Sequence, residues 1–399
     1  MEFLPPRVQA ESLLKGIADE VPRAGLLEKL ELSHKEGRPL LVKYGADPSA
    51  PHLHLGHTVT MRKLRQFQDF GHIVYFLIGD FTAMIGDPSG RSATRPALTR
   101  DEVIANSKTY EEQVWKVLDK NRTKIVFNSS WCSQLKFDEV IRLTSGYTVA
   151  RILERDDFMK RYKEGKPIGL HEFLYPIVQG YDSVVLKADV EICGTDQIFN
   201  CHVARALQES AGQKPEVIMA LPLLEGTDGV NKMSKSMGNS IGISEAPGEA
   251  YGKILSIPDT LTEKYFSLLL GESMDPEISP RDAKHLLARR IIAKYHGEEA
   301  ASEAASRFEK MFVRHEIPDD APEVIVPADS FKDGRIWALK LLTVTGAAPS
   351  RGEAERLLMQ GAVELDGARI SDPRADLIIK DGAVLKVGKR RYLRLRLAK

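Results

Sequence analysis

The sequence predicts an α/β protein with a doubly wound parallel sheet, followed by an α-helical domain and a small α+β domain. Short apolar runs alternate with amphipathic stretches along the first 245 residues. The run at 73–78 (IVYFLI) lacks polar alternation, as expected of a parallel strand covered by helices on both faces. A length of 399 residues also exceeds what one core usually organises, which favours several domains.

The elements of the sheet follow one another in a strand–helix rhythm. Thr99 and Glu102 form a capping box, which predicts a helix reaching about Leu118. The predicted strands are 40–44, 73–78, 124–127, 184–192 and 216–220, and the other predicted helices are 55–70 and 196–209. Charged helical sequence at about 130–180 interrupts this rhythm and is interpreted as an insertion between the two halves of the fold.

Domain limits follow from changes in composition. The sheet domain is predicted to span 1–245. An α-helical domain is predicted over 246–325, because 246–315 is rich in Ala, Glu, Lys, Arg and Leu at helical spacing. An acidic, proline-rich stretch at 316–330 is typical of an exposed linker. In the last domain, 331–399, Ser350 and Glu353 form a second capping box, and Gly361 stands where a left-handed C-cap is expected.

Bulk composition excludes several classes of protein. Apolar residues make up 43% and charged residues 28%, which is ordinary for a globular protein, and no apolar run reaches the roughly 20 residues that a bilayer requires. The N-terminus does not resemble a secretory signal, so a cytoplasmic location and three reduced cysteines are expected. Net charge is zero, but 331–399 holds 15 Lys and Arg against 8 Asp and Glu. A basic module of this kind favours a nucleic acid as partner, although a merely solvated surface stays open.

Two short strings suggest a site for a nucleoside triphosphate. His54 and His57 flank Gly56 where a helix begins, and a helix N-terminus with imidazole donors suits the α-phosphate. The string KMSKS places Lys232 and Lys235 in a glycine-flanked loop that could close over the β- and γ-phosphates. Two isolated histidines more often have a capping or packing role, so the pair of strings carries the inference.

With both strings in this order, the chain resembles the class I aminoacyl-tRNA synthetases, which have a Rossmann-like catalytic domain. The resemblance implies in-line attack of an amino-acid carboxylate on the α-phosphate of ATP, with Mg²⁺ carried by ATP and no metal cage in the protein. It makes His54, His57, Lys232 and Lys235 the catalytic residues. The residues that it assigns to ATP are Asp47, Ser49, Gly56, Gly194, Asp196, Met233, Ser234 and Ser236.

The helix sequence FLYPIVQGYD and the following CGTDQ resemble the tyrosine-selecting part of the tyrosine-specific synthetases. Tyr175, Gln179 and Asp182 share one helix face by their spacing. The resemblance implies that Tyr175, Gln179 and Asp87 hold the substrate ammonium, that Asp182 accepts from the phenol hydroxyl, and that Gln197 lies on the carboxylate side. The chain departs from the commoner bacterial form at Lys43, where that form has a tyrosine, and at Cys193, where a small residue is usual.

The tail, SRGEAERLLMQGAVELDG with the strand YLRLRL, resembles the RNA-binding domain named after ribosomal protein S four. The resemblance implies that this domain grips tRNA(Tyr) while 246–325 approaches the anticodon, and that the enzyme is a homodimer. The residues expected to contact tRNA are Arg351, Arg356, Lys389, Arg390 and Arg394. The alternatives are a tryptophan-specific relative, a small-molecule nucleotidyltransferase and a non-catalytic RNA-binding paralogue.

Overall fold

The computed structural model describes residues 4–89, 98–313, 321–388 and 391–398. Two compact units share the chain, residues 1–302 and residues 303–399. The predicted Arg390 and Lys389 lie outside the described residues.

The first unit is built around a six-stranded sheet with the strand order β1-β6-β5-β2-β3-β4. All neighbours pair in parallel except β1 and β6, which are antiparallel. The strands are β1 (Asp19–Val21), β2 (Leu41–Ala46), β3 (Ile73–Ile78), β4 (Thr123–Phe127), β5 (Val190–Gly194) and β6 (Val217–Leu221). The chain moves outward from β2 to β4 and then returns to the other side of β2, so the order reverses between β2 and β5. In such sheets ligands bind outside the carboxyl ends of the strands at this reversal. The predicted doubly wound sheet is confirmed.

Helices surround the sheet and continue beyond it. Thr99 accepts a hydrogen bond from the backbone of Glu102, so the predicted capping box opens α5. The helices that begin in this unit are α1 (Pro6–Leu13), α2 (Gly25–Glu36), α3 (Leu55–Asp69), α4 (Thr82–Ile85), α5 (Arg100–Val114), α6 (Ser129–Cys132), α7 (Phe137–Ser145), α8 (Val149–Ile152), α9 (Asp156–Lys163), α10 (Leu170–Leu186), α11 (Ile198–Ser210), α12 (Pro247–Leu255), α13 (Thr262–Tyr265), α14 (Pro280–His296) and α15 (Glu298–Phe308). The last of them runs into the second unit.

The predicted strand at 184–192 is wrong in its first half. Residues 184–186 are the last turn of α10, which ends where Lys187 adopts a left-handed conformation. The two valines of this stretch suggest a strand by propensity alone, but packing of Val184 beside Ile177 and Leu207 favours the helix. The strand therefore begins only at Val190.

The second unit is a small α+β body with its own core. Its strands are β7 (Glu323–Val326), β8 (Ile336–Trp337), β9 (Val363–Leu365), β10 (Ala368–Ile370), β11 (Asp376–Leu377), β12 (Val384–Val387) and β13 (Arg391–Leu397), and its helices are α16 (Ala338–Val344) and α17 (Arg351–Met359). Ser350 caps α17, and Gly361 adopts the predicted left-handed conformation. Leu393 and Leu395 are buried in the core, as the alternation of YLRLRL predicts.

The segment predicted as a linker is part of this second unit. Within 316–330, residues 323–326 form β7, which pairs in parallel with β13, and Val326 is fully buried. Composition suggested a linker because proline and acidic residues flank the strand. The strand itself, EVIV, has the β-branched content of a sheet element.

A buried histidine ties the N-terminal helix to the sheet and gives the first unit a testable pH dependence. His72 Nδ1 accepts from the backbone N–H of Leu40 at 3.1 Å, and its Nε2 lies 2.8 Å from Gln9 Oε1. Burial lowers the pKa of His72 to about 4. The unfolded chain therefore binds a proton below about pH 6.5 that the folded chain binds only near pH 4, so stability falls as the pH falls through that window.

We expect His72→Gln to reduce the loss of unfolding free energy between pH 7 and pH 5 by about 2 kcal/mol. Urea unfolding at both pH values measures this difference. His34 is exposed, so His34→Gln is the control and should keep the wild-type slope. Equal slopes in His72→Gln and the wild type would contradict the assignment.

Candidate functional site

A cavity of about 960 Å³ opens beyond the carboxyl ends of β2 and β5, at the reversal of the strand order. Residues from both predicted strings, from the loop after β3 and from α10 line it together. The sequence-predicted residues that line it are Asp47, Ser49, His54, Gly56, His57, Asp87, Tyr175, Gln179, Asp182, Gly194, Asp196, Gln197, Lys232, Met233, Ser234, Lys235 and Ser236. Two strings that lie more than 170 residues apart in the sequence thus face the same space.

The paired histidines form the start of α3. His54 is the N-cap residue, and its backbone N–H donates to Nδ1 of His57 at 3.2 Å. Their ring centroids are 3.8 Å apart. Burial lowers the pKa of His57 to about 4, and burial together with His57 and the two lysines lowers the pKa of His54 well below its usual value. Both rings are therefore neutral near pH 7, and they can donate hydrogen bonds without adding a fixed charge.

His54 carries a polar atom that needs a partner. Its Nδ1 is buried and has no hydrogen-bond partner among the described residues. A buried polar atom left in this state is costly, which is typical of a site that a ligand completes.

The lysine-bearing loop lies beside the histidines, since a Cβ on Gly56 would lie 3.5 Å from Met233 Cβ. Lys232 Nζ is 2.7 Å from Asp196 Oδ2, and the two side chains are 46% and 23% exposed. Met233 is buried, whereas Lys235 and Ser236 are exposed. An ammonium at this degree of exposure can exchange its carboxylate partner for a phosphate at little cost.

Asn239, which the sequence reasoning missed, holds this loop in shape. Its Oδ1 accepts from the backbone N–H of Ser234 at 2.8 Å, while Nδ2 donates to Asp228 and to the carbonyls of Asn231 and Lys232. A Cβ on Gly226 would lie 2.3 Å from the Asn239 side chain. Only glycine therefore allows the segments before and after the KMSKS string to approach this closely.

One wall of the cavity is a chain of polar side chains around Asp87. Asp87 Oδ2 accepts from Gln197 Nε2 at 3.0 Å, and its Oδ1 accepts from Ser89 Oγ at 2.6 Å. Asn200 donates from Nδ2 to Gln197 Oε1 at 2.8 Å and to Gln179 Oε1 at 2.9 Å. These bonds hold Gln179, Asp87 and Gln197 as one group, in which carboxylate and amide oxygens suit a small cation such as an ammonium group.

Arg155 and Tyr175 fix the edges of this wall. The buried guanidinium of Arg155 donates to Ser89 and, at 3.1 Å, to Asn200 Oδ1. Tyr175 donates its hydroxyl to Asp47 Oδ2 at 2.9 Å, and burial raises the pKa of Tyr175 well above its usual value. Asp47 and Tyr175, which the sequence assigns to different ligands, are therefore hydrogen-bonded neighbours.

Asp182 is at the deep end of the cavity. Trp131 Nε1 donates to its Oδ1 at 2.8 Å, and Asn128 Nδ2 donates to its Oδ2 at 3.3 Å. Burial raises the pKa of Asp182 to about 7, against the lowering effects of Lys43 and of these two hydrogen bonds. A carboxylate oriented by two donors and buried beside apolar walls is a strong acceptor for a hydroxyl.

Lys43 also lines the cavity and is completely buried. Its ammonium donates to Ser183 Oγ at 2.7 Å and to the carbonyl of Gln179 at 3.1 Å, and it lies 3.1 Å from Glu191 Oε1. Burial would lower the pKa of Lys43, but the acidic groups around it, Glu191 first among them, together raise the pKa. The lysine is thus a charged, fully bonded part of the cavity wall.

The predicted tRNA-contacting residues lie in the second unit. Arg351 and Arg356 are exposed on α17, where Arg356 pairs with Glu353 at 2.7 Å, and Arg394 is partly exposed on β13. Other arginines of this unit stabilise its fold. Arg391 donates to the carbonyls of Gly346 and Ala347, and Arg396 pairs with Glu323 and Asp381.

The residues that sequence reasoning missed are mostly amide or indole side chains that orient the predicted ones: Asn128, Trp131, Arg155, Asn200 and Asn239. None stands in a distinctive string. A sequence signal existed only for Asn239, which directly follows Gly238 and stands three residues after the KMSKS string.

Comparison with known proteins agrees with this geometry. The model of the family "tRNA synthetases class I (W and Y)" matches residues 35–313. A tyrosine–tRNA ligase of Carboxydothermus hydrogenoformans is 51% identical over 97% of this chain and 97% of its own length. Those of Moorella thermoacetica and Haemophilus influenzae are each 50% identical over 97% of this chain, and over 95% and 96% of their own lengths.

Solved structures show the same fold. A tyrosyl-tRNA synthetase of Archaeoglobus fulgidus, complexed with L-tyrosine, superposes with a TM-score of 0.60 at 21% identity and covers 76% of this chain and all of that one. A C-terminally truncated mitochondrial tyrosyl-tRNA synthetase of Aspergillus nidulans gives a TM-score of 0.60 at 22% identity, over 76% of this chain and 93% of its own.

Proposed function

Because the chain belongs to the tyrosine–tRNA ligases of the class I tRNA synthetase family, we propose that its cavity binds L-tyrosine and ATP side by side. An enzyme of this family activates tyrosine with ATP and then transfers the tyrosyl group to tRNA(Tyr). The observation that carries the proposal is the shared cavity, in which the histidine and lysine strings and the α10 residues face one another. The tryptophan-specific alternative has no support from these relatives, because they are tyrosine–tRNA ligases and the chain matches them over nearly their whole length.

The phosphate end of the proposed site uses position and charge. His54 and His57, neutral and at the N-terminus of α3, would donate to the α-phosphate, where the helix dipole also favours negative charge. Lys232 and Lys235 would stabilise the departing pyrophosphate. The carboxylate of tyrosine attacks the α-phosphorus and pyrophosphate leaves, so no side chain has to act as a nucleophile.

Magnesium is proposed to enter with ATP. Among the described residues, no group of three or more His, Cys, Asp or Glu side chains could hold a metal ion. Phosphate oxygens are the usual ligands of Mg²⁺, which suits an ion carried on the triphosphate. When bound, it would supply charge neutralisation at the phosphates.

The amino-acid end would recognise both ends of tyrosine. Asp87, Gln179 and Tyr175 would take the ammonium group, and Gln197 would lie on the carboxylate side. Asp182 would accept from the phenol hydroxyl. Selection by a buried acceptor rejects an amino acid that lacks the hydroxyl, since the acceptor then loses its partner.

The direct test is amino-acid-dependent exchange of pyrophosphate with ATP, run with tyrosine, phenylalanine and tryptophan in parallel. The proposal expects exchange with tyrosine and little with the other two. Equal or greater exchange with tryptophan would overturn the tyrosine assignment, and no exchange with any of the three would favour the non-catalytic alternative.

Asp182→Asn should lower kcat/KM for tyrosine in this exchange about 10- to 100-fold, because an asparagine oxygen cannot accept from Trp131, Asn128 and the phenol as a carboxylate can. KM for ATP should stay within about twofold of the wild type. Asp189→Asn is the control: this carboxylate is also buried, but it pairs with Arg38 and does not line the cavity. A similar loss in both variants would show that stability, and not recognition, is affected.

The homodimer is part of the same proposal. Large apolar side chains are exposed on the predicted insertion and at the start of α10: Phe137, Ile141, Val149, Tyr162 and Leu170. Exposed apolar groups of this number favour burial against another protein surface, and a second copy of the chain is the simplest partner. A cytoplasmic location, where tRNA is charged for translation, completes the proposal; no helix among the described residues is long and apolar enough to span a membrane.

Light scattering should give the mass of a dimer for the wild type and of a monomer for Phe137→Asp/Leu170→Asp, because two charges would be buried without partners. Ile325→Asp places the same charge on an exposed apolar residue of the second unit and should leave the mass unchanged. A monomeric wild type at micromolar concentration would overturn the dimer.

A further inference from the structure

The buried Lys43 has a place in the cavity wall that the proposed roles do not explain. Three groups surround its ammonium, and they come from two different elements: the Gln179 carbonyl and Ser183 hydroxyl of α10, and the Glu191 carboxylate of β5. Lys43 itself belongs to β2. One side chain therefore connects the two central strands at the strand-order reversal with the helix that carries the amino-acid pocket.

We propose that Lys43 is a positioning residue for tyrosine selection, one that fixes the turn of α10 carrying Gln179 and Asp182 and places a positive charge behind the Asp182 carboxylate. This inference rests on the proposed function of the cavity. Asp182 is the residue next to Ser183 and lies one helical turn after Gln179, so both bonds from the ammonium flank it. Without the lysine, this turn would keep only the longer contacts of Gln179 and Ser183 with Glu191, at 3.4 Å each.

The other charged and titratable groups around Asp182 make the lysine necessary. From β5, Glu191 acts on Asp182 with a like charge. Asp182 also interacts with Cys132 of α6 and with Tyr181, its neighbour on α10, while Asp80 after β3 acts on Cys132 and Glu216 before β6 acts on Lys43. Among these groups Lys43 alone carries a positive charge.

Of the two glutamates near Lys43, only one is ionised, so the lysine charge is balanced by a single carboxylate. Burial raises the pKa of Glu191, but the Lys43 charge and hydrogen bonds from Glu216, Lys43 and Gln179 together lower it, so Glu191 is ionised. Burial and the neighbouring Glu191 raise the pKa of Glu216 well above its usual value, so Glu216 stays protonated and accepts from Ser183 Oγ at 3.1 Å. The set then holds one ammonium, one carboxylate and one carboxylic acid behind the pocket.

The test is Lys43→Met, which keeps the length of the side chain and removes the charge. Pyrophosphate exchange is measured for tyrosine and for phenylalanine between pH 5.5 and pH 9. We expect KM for tyrosine to rise at least about tenfold, with KM for ATP within about twofold. The acid limb of kcat/KM for tyrosine should move up by about one pH unit, because Asp182 then protonates more easily. Preference for tyrosine over phenylalanine should fall.

The double variant Lys43→Met/Glu191→Gln separates charge from shape. It removes the attractive and the like charge together, so the acid limb should return toward that of the wild type. KM for tyrosine should stay raised because the bonds from Lys43 to Gln179 and Ser183 are missing. It also leaves no unpaired buried carboxylate, so it serves if Lys43→Met does not fold.

Lys63→Met is the matched control. Lys63 is another buried lysine, which donates to the carbonyls of Leu13 and Lys15 and does not line the cavity. It should lose stability with unchanged KM for tyrosine and an unchanged acid limb. Two results would overturn the inference. One is a folded Lys43→Met variant whose KM for tyrosine is within twofold of the wild type and whose acid limb is unmoved. The other is an unmoved acid limb in Lys43→Met together with a fall in exchange equal to that of Lys63→Met. A wild type without tyrosine-dependent exchange would instead overturn the proposed function.

Discussion

Replacing Lys232 with alanine is expected to lower kcat for tyrosine-dependent pyrophosphate exchange about 10²- to 10³-fold. Lys232 lines the cavity together with the paired histidines, and its ammonium is proposed to stabilise the charge that develops as pyrophosphate leaves. Because that charge is greatest in the transition state, KM for tyrosine should stay within about threefold of the wild type. Steady-state exchange kinetics with each substrate varied in turn measure both quantities.

Lys253→Ala is the matched control for this experiment. Lys253 forms a similar ion pair, 2.8 Å from Glu245, and is close in sequence to the loop, but it does not line the cavity. Its replacement should change exchange less than twofold. Retention of more than half of wild-type kcat by Lys232→Ala would contradict the proposed role of the loop.

The contact between Lys232 and Asp196 bears on how the loop works. With both side chains partly exposed, the pair contributes at most about 1 kcal/mol, which a triphosphate can readily outcompete. Asp196, once released, can contact ATP, to which the sequence resemblance assigns it. The ion pair therefore keeps the lysine in the cavity before ATP binds without fixing it there.

Much of the fold could be predicted because its signals are local. The unbroken apolar run of β3 and the capping box at Thr99 each need only a few neighbouring residues to be read. The strand predicted at 184–192 failed for the opposite reason, since the choice between helix and strand for Val184 depends on packing against α11. Likewise β7 becomes a strand only by pairing with β13, about 70 residues away.

The residues of the cavity likewise fall into those that the sequence predicts and those that it does not. Residues that are proposed to contact a substrate stand in recognisable strings, such as the paired histidines and KMSKS, and these strings line the cavity. Residues that orient them act through contacts between distant segments. Lys43 of β2 pairs with Glu191 on the neighbouring strand β5, and Asn200 joins Gln179 to Gln197. Such links depend on the folded geometry, so sequence spacing does not predict them.

Removal of the second unit from β7 onward should separate the two steps of the reaction. A chain ending at residue 320 is expected to keep tyrosine-dependent exchange within about threefold of the wild type, because the cavity is formed by the first unit alone. Charging of tRNA(Tyr) should fall about 10²-fold or more, since the exposed arginines of the second unit would no longer bind phosphates. Exchange and aminoacylation assays on the same preparation measure the two effects.

The point of truncation matters because β7 belongs to the second unit. Cutting at 331 instead would leave Glu323–Val326 without its partner β13, and an unpaired strand edge with Ile325 exposed favours aggregation. A full-length Arg351→Ala/Arg356→Ala variant provides the matched comparison. Its KM for tRNA should rise. The slope of log KM against log salt concentration should fall by about 2, because two phosphate contacts are lost while the fold is kept. Loss of exchange in a folded 1–320 chain, or full charging by it, would contradict this division of labour.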